Sequence, residues 1–149
     1  MSFADLTVQG FQDGVAARTP APGGGAVAAM TAASAAALVA MAARFSDQPA
    51  DRADELRTRL TSLADEDAAA YSAVLAAPRD RRAEAMVAAT EVPREVAALA
   101  TEVVGLANGL AASGNPNLLG DARVAEELAG AAARAAAVLV EINEGEGRR

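Results

Sequence analysis

Two side chains that can carry proton chemistry, Asp67 and Tyr71, lie four residues apart in the sequence. On a helix this spacing places both side chains on one face. Three alanines follow Asp67, so we expect its carboxyl group to be poorly solvated. Desolvation raises a carboxyl pKa and brings the group closer to the neutral range in which a general base works. The alternative is a solvated acidic patch, because Asp65, Glu66 and Asp67 are consecutive.

A second candidate site is the glycine-rich loop Pro22-Gly23-Gly24-Gly25, which leads directly into an alanine-rich segment. Glycines let a ligand approach the backbone, and the free N–H groups of a helix's first turn suit an anion or a polar heterocycle. Arg18 precedes this loop and can hold a carboxylate. The alternatives are a plain tight turn and a solvated helix end.

A third group of polar residues lies near predicted helix ends. Asn115 and Asp121 flank a break at residues 113–117, and Asn143 lies near the end of the last predicted helix. Asn side chains can bind amides, and a carboxylate can accept an N–H. The alternative is structural, since a turn, an N-cap and a C-terminal cap would account for all three residues.

Composition excludes several kinds of chemistry. The chain has no Cys and no His, and all 13 basic residues are Arg. A thiolate nucleophile, a Ser-His-Asp triad, a Schiff base and a P-loop lysine are therefore excluded, and a metal site of the zinc type is not expected. The net charge of -7 argues against nucleic-acid binding. The sequence has no basic amphipathic stretch and begins without the pattern of a signal peptide, so we expect no membrane partner and a cytoplasmic location.

The elements that must position these residues are predicted to be helices. Alanine, leucine, arginine and glutamate dominate, and β-branched and aromatic residues are sparse. We expect residues 1–149 to form a single domain, an all-α antiparallel helical bundle of five to six helices. The predicted helices cover about residues 5–17, 26–45, 51–77, 81–90, 93–112 and 122–143, and residues 144–149 form a polar tail. Pro93 either begins the fifth helix or kinks one continuous helix. Asp51 and Asp121 are expected as N-caps.

The segment 26–43 contains no charge and is long enough to score as a membrane span. It is mostly alanine, however, whereas spans are usually rich in Leu, Ile and Phe. We therefore interpret it as a core helix that is apolar nearly all round. Oligomerisation is the simplest way to cover whatever the other helices leave exposed.

Several short motifs occur in a specific order along nearly the whole chain. They are residues 18–29 with the Pro-Gly-Gly-Gly helix entry, 67–71 with Asp-Ala-Ala-Ala-Tyr, 92–93, 114–115 with Asp121, and 142–143. In this order the chain resembles the cyclodeaminase/cyclohydrolase family. That family includes the C-terminal domain of formiminotransferase-cyclodeaminase and stand-alone methenyltetrahydrofolate cyclohydrolases.

The resemblance implies a homodimer or higher homo-oligomer with a folate site at the subunit interface, near the glycine loop. It implies that Asp67 is the catalytic proton-transfer residue. The residues implied to bind the tetrahydrofolate derivative are Arg18, Pro22, Gly23, Gly24, Gly25, Tyr71, Asn115, Asp121 and Asn143. No metal or redox cofactor is required beyond the tetrahydrofolate substrate.

Two reactions are consistent with the resemblance. One cyclises 5-formiminotetrahydrofolate to 5,10-methenyltetrahydrofolate with release of ammonia, and the other hydrolyses 5,10-methenyltetrahydrofolate to 10-formyltetrahydrofolate. A third possibility is a non-catalytic folate-binding or assembly module that keeps the fold. It is suggested by Ala26, which stands where the family often has Ser, and by the short segment that follows Asn143.

Overall fold

The structure, a computed structural model, describes residues 2–147, and most of this length is helical. Five α-helices follow one another: α1 (Val8–Ala16), α2 (Gly24–Arg44), α3 (Asp51–Ala76), α4 (Arg82–Ser113) and α5 (Leu119–Gly147). Short 3-10 helices at Phe3–Asp5 and Pro116–Leu118 precede α1 and α5. Residues 2–147 contain no strand. The prediction of an all-α fold with five to six helices is confirmed.

Helices α2 to α5 run alternately up and down and form a four-helix bundle. Ion pairs show the antiparallel register of α3 and α4 directly. Arg52 Nε lies 2.6 Å from Glu102 Oε1, and Arg59 Nε lies 2.7 Å from Glu95 Oε1. The residue number rises along α3 as it falls along α4, as antiparallel neighbours require.

Helix α2 forms the centre of the core and packs against α3, α4 and α5. Twelve of its 21 residues are buried, and ten of these twelve are alanine. Small side chains allow the helix backbones to approach closely. The fully buried leucines Leu56, Leu60 and Leu63, which are the largest of the fully buried side chains, come from α3. Three helices of the same chain thus cover most of α2, and an exposed stripe that includes Val27 and Ser34 remains.

Two helices, α2 and α4, are long and apolar enough to cross a membrane by length and composition. For α2, 61% of the relevant window is buried inside the protein. The core helix of a soluble protein passes the same test, so these two helices are weak evidence for a span.

Of the two arrangements predicted at Pro93, the structure has the single helix that runs through it. Residues 81–90 and 93–112 do not form two helices, because α4 is continuous from Arg82 to Ser113 with Pro93 inside it. Proline is unfavourable in a helix interior because it lacks an N–H and clashes with the preceding turn. Here Pro93 is buried against the bundle, and tertiary packing prevails over the local preference.

Several predicted helix ends also differ. The predicted helix at 5–17 is a 3-10 helix followed by α1, whose N-cap is Thr7 with its hydroxyl accepting the Gly10 N–H at 2.9 Å. Asp51 is not an N-cap but the first residue of α3, after Ala50. Asp121 is not an N-cap either, because α5 begins at Leu119. Helix α5 continues through residue 147, so the predicted polar tail is helical up to that point, and residues 148–149 lie outside the described residues.

Candidate active site at the start of α2

The first turn of α2 is capped by a side chain from another helix. Gly23 occupies the N-cap position and has no side chain that could accept a hydrogen bond from the first turn, so the helix lacks a local side-chain cap. The carboxylate of Asp67, on α3, accepts the backbone N–H of Ala26, the third residue of α2. A carboxylate at this position also meets the positive end of the helix dipole. The predicted proton-transfer residue therefore lies directly against the predicted glycine loop.

The local environment of Asp67 shifts its protonation. Burial raises the pKa of Asp67, and the hydrogen bond from the Ala26 N–H lowers it by a smaller amount, so the net direction is upward. A carboxyl group with a raised pKa takes up and returns a proton more readily near neutral pH. The neighbouring Glu66 differs, because it is exposed and paired with Arg59 at 2.5 Å. The three consecutive carboxylates thus differ: Asp67 is half-buried, Glu66 is exposed and ion-paired, and Asp65 is partly buried and accepts hydrogen bonds from the Ser2 hydroxyl and the Phe3 N–H.

A cavity of about 280 Å³ opens beside Asp67. Loop 17–23 and the first turn of α2 form one wall, and α3, α4 and α5 each contribute side chains. The lining residues are Pro20, Ala21, Gly23, Gly24, Gly25, Asp67, Tyr71, Pro93, Leu139 and Asn143. Tyr71 is 44% exposed and lines this space. The cavity combines one carboxyl group, one phenol and one amide with apolar walls, an arrangement typical of a small-molecule site.

A larger cavity of about 470 Å³ lies elsewhere, between the N-terminal segment, α1 and α2. Its lining consists of apolar and neutral polar side chains such as Phe11, Met30 and Ser34, without a titratable group. Of these two cavities, therefore, only the smaller one has side chains that can carry acid–base chemistry. Among the described residues, His, Cys, Asp and Glu nowhere gather in a group of three or more that could hold a metal ion.

The structure brings six of the ten predicted site residues together in this cavity. They are Gly23, Gly24, Gly25, Asp67, Tyr71 and Asn143. Arg18 is exposed in the loop that precedes the glycines and does not line the cavity. Pro22 lies in the same loop, and its ring faces α1, with Cδ 3.5 Å from the position that a Cβ on Gly14 would take.

Asn115 and Asp121 lie at the opposite end of the bundle. The backbone N–H of Asn115 donates to Ser46 Oγ at 2.8 Å, and its side chain donates to the Phe45 carbonyl at 3.0 Å, just after α2 ends. The 21 residues of α2 span about 30 Å at about 1.5 Å per residue. Within one subunit, therefore, neither residue reaches the Asp67 cavity, and their role in substrate binding stays a prediction.

Four lining residues were not predicted as site residues. Pro20, Ala21 and Pro93 belong to the motifs that carried the resemblance, but spacing alone gave them no role. Leu139 belongs to none of these motifs, but it lies four residues before Asn143 and hence on the same face of α5. That spacing is the signal that would have found it.

The sequence matches the formiminotransferase-cyclodeaminase family over residues 7–146. The protein named methenyltetrahydrofolate cyclohydrolase from Methylorubrum extorquens is 33% identical, and the aligned region covers 92% of this chain and 78% of that protein. The mouse protein named formimidoyltransferase-cyclodeaminase is 35% identical over 83% of this chain, which corresponds to 28% of the mouse protein.

A solved structure has the same fold. The crystal structure of formiminotetrahydrofolate cyclodeaminase from Thermotoga maritima superposes with a TM-score of 0.90 and 31% sequence identity, covering 96% of this chain and 80% of that one. All three relatives bear the names of enzymes, which confirms the prediction that the chain is an enzyme of this kind. The chain therefore belongs to the formiminotransferase-cyclodeaminase family, as its ordered motifs indicated.

Proposed function

We propose that the protein is a folate-dependent enzyme that acts on the one-carbon unit held between N5 and N10 of tetrahydrofolate, with Asp67 transferring protons. The observation that carries this proposal is the half-buried Asp67 carboxyl group, which lies in a cavity against the glycine-rich start of α2. The names of the relatives supply the substrate class.

In the cyclodeaminase reaction, N10 of 5-formiminotetrahydrofolate attacks the carbon of the protonated formimino group (N5–CH=NH2⁺), and Asp67 takes the N10 proton. The resulting tetrahedral intermediate carries an amino group, which needs a proton before it leaves as ammonia. Asp67 returns its proton to that nitrogen, and the product is 5,10-methenyltetrahydrofolate. A carboxyl group whose pKa is raised by burial suits this exchange, because it acts as base and then as acid.

In the cyclohydrolase reaction, water attacks the same carbon of 5,10-methenyltetrahydrofolate. Asp67 takes a proton from that water and delivers one to N5 as the C–N5 bond breaks. The products are 10-formyltetrahydrofolate and one proton released to solvent. Both reactions use one carbon, one tetrahedral intermediate and one proton carrier, so the same cavity serves either.

The remaining lining residues suit the substrate's ring system. The exposed face of Tyr71 can stack on a flat heterocycle, and the Asn143 amide can both donate and accept hydrogen bonds. Arg18 is exposed in the adjoining loop, and its guanidinium can bind a carboxylate of the glutamate tail. The alternative, a non-catalytic folate-binding module, is not favoured, because the Asp67 carboxyl group is half-buried in the cavity and has a raised pKa.

The test follows the methenyltetrahydrofolate chromophore with purified protein. One sample starts from 5-formiminotetrahydrofolate, a second starts from 5,10-methenyltetrahydrofolate, and protein-free samples correct for spontaneous reaction. Faster appearance of the chromophore in the first sample identifies a cyclodeaminase, and faster loss in the second identifies a cyclohydrolase. Acceleration in neither sample contradicts the proposed activity.

We also propose that the working unit is a homodimer in the cytoplasm. A cavity of 280 Å³ is slightly smaller than the range of about 300–1,000 Å³ that encloses a drug-sized ligand, so one subunit is expected to hold only part of a folate. Helix α5 presents an exposed apolar stripe at alternating spacings of four and three residues, which is the pattern of a helix–helix seam. The stripe consists of Val124, Leu128, Ala131, Ala135, Val138 and Ile142.

The end of this stripe adjoins the cavity. Val138 and Ile142 are 52% and 51% exposed, and each is followed in sequence by a residue that lines the cavity, Leu139 or Asn143. A second copy packed on α5 would therefore also close the cavity. Sedimentation should give twice the chain mass of 14.9 kDa. Val138→Glu should give the monomer, whereas Val87→Glu, at an exposed position near the start of α4, should not. A wild-type monomer at micromolar concentration would contradict this assembly.

A further inference from the structure

Gly25 has an unusually close neighbour. A Cβ built on Gly25 would lie 2.0 Å from Asp67 Oδ1, 2.4 Å from Cγ and 2.6 Å from Oδ2. Real Cβ atoms essentially never lie within 3.0 Å of another heavy atom, so any side chain at position 25 would displace the Asp67 carboxyl group. The adjacent Gly24 differs, because its Cβ would meet nothing within 4 Å.

Backbone conformation does not explain the glycine at position 25. Among the described residues no glycine has a positive φ, and Gly25 is an ordinary residue in the first turn of α2. An alanine there would fit the helix and would be favoured by helix propensity. Position 25 requires a residue without a side chain, because the Asp67 carboxyl group occupies the space where a Cβ would lie.

We propose that Gly25 is a positioning residue for Asp67: its missing side chain forms the seat that holds the carboxyl group against the start of α2. The sequence suggested instead that this glycine contacts the substrate. The seat lets Asp67 cap the helix through the Ala26 N–H while one side of the carboxyl group remains open to the cavity. The geometric part of the inference is independent of the reaction, and its effect on catalysis rests on the proposed function.

A stability cycle tests the contact without reference to activity. Gly25→Ala should lower the Tm of the otherwise unchanged chain, because the new Cβ displaces the Asp67 carboxyl group. In an Asp67→Ala background the carboxyl group is absent, so the same substitution should cost nothing or should raise the Tm, as alanine favours helix. Gly24→Ala, whose Cβ has open space, should show no such dependence on residue 67. An equal Tm loss from Gly25→Ala in both backgrounds would overturn the inference.

Activity provides a second readout. The cavity-lining groups around Asp67 carry no charge. They are Gly25 and the Ala26 N–H of α2, Pro93 of α4, and Leu139 and Asn143 of α5. Tyr71 on α3 is the other titratable side chain in the cavity lining. A carboxyl group pushed from its seat into the open cavity regains water. Gly25→Ala should therefore lower kcat by at least tenfold and move the acidic limb of the kcat–pH profile to lower pH. Gly105→Ala, at an open helical position outside this cavity, should do neither.

The two readouts separate the possible failures. If the effect of Gly25→Ala on the Tm depends on residue 67 but neither the wild type nor any variant has folate activity, the positioning contact is supported and the proposed function is contradicted. An unchanged kcat and pH profile in Gly25→Ala, with an active wild type, would overturn the positioning role.

Discussion

The close approach of α2 to α3 is expected to control both stability and the position of Asp67. Ala32 is fully buried and lies seven residues, or about two turns, after Gly25, so it is on the face of α2 that meets α3. Ala32→Leu adds three carbon atoms between helices whose packing leaves no room for them. Overpacking a core typically costs about 1–3 kcal/mol in the free energy of unfolding.

The size of the effect follows from the chain length. For a domain of about 150 residues, each kcal/mol shifts the Tm by about 2–4 °C, so Ala32→Leu should lower the Tm by about 2–12 °C. The same substitution should reduce kcat, because a displacement of about 1 Å at a reacting group can cost about 100-fold. Thermal unfolding followed by circular dichroism and steady-state kinetics measure the two effects on one preparation.

Ala37→Leu is the matched control on the same helix. Ala37 is exposed, and leucine and alanine have similar helix propensities, so its free energy of unfolding should change by less than about 0.5 kcal/mol. Equal Tm values for Ala32→Leu and Ala37→Leu would refute the account of the alanine-lined core.

Further predictions concern pH and a remote hydrogen bond. Burial raises the pKa of Asp67 in the folded state, so the ionisation of this carboxyl group opposes folding. Asp67→Asn should therefore be at least as stable as the wild type at pH 7. The wild type should gain stability relative to this variant as the pH falls toward about 4, where the carboxyl group of the unfolded chain also protonates. The ion pair with Arg59 lowers the pKa of Glu95, so the ionisation of Glu95 favours folding. Glu95→Gln should slightly reduce stability above about pH 5, and this difference from the wild type should vanish as the pH falls through the lowered pKa. Tm measurements as a function of pH test both expectations. Ser46→Ala removes an acceptor for the Asn115 N–H and should reduce the free energy of unfolding by about 1 kcal/mol in urea titrations; an unchanged midpoint would contradict that role.

Much of the fold was predictable because the helix-breaking prolines and glycines lie mostly where the helices of the folded protein end. The segment predicted at 26–45 is α2, Gly24–Arg44, and the segment predicted at 51–77 is α3, Asp51–Ala76. Both segments lie between loops that contain proline or glycine, where a regular helix has to stop. Pro93 was the exception, because its burial within the bundle keeps α4 continuous.

Whether the helix continues through Pro93 also determines at which end of the bundle Asn115 lies. In an up-and-down bundle each helix reverses the chain, so the number of helices between two motifs fixes whether they share an end. A turn at residues 90–93 would have placed Asn115 near the glycine loop. One continuous α4 places it beside Ser46, at the other end. Local sequence rules do not contain this information, because it depends on what covers Pro93.

The candidate site was partly predictable for a similar reason. The spacing of Asp67 and Tyr71 gives a shared helix face, and the structure places both in one cavity. The cross-helix contact between Asp67 and Gly25 was not predictable from spacing, because it depends on how closely α2 approaches α3. Loop residues such as Pro20 required the folded arrangement as well.

Asp67 is proposed to transfer protons in the folate reaction. The most direct test compares kcat for the wild type, Asp67→Asn and Glu66→Gln on whichever substrate the wild type converts. Glu66 is the adjacent carboxylate, exposed and paired with Arg59, so its neutral variant is the matched control. We expect Asp67→Asn to lose about 10²–10⁴-fold in kcat with an unchanged circular dichroism spectrum, and Glu66→Gln to keep the wild-type rate. An Asp67→Asn variant as fast as the wild type would contradict the account.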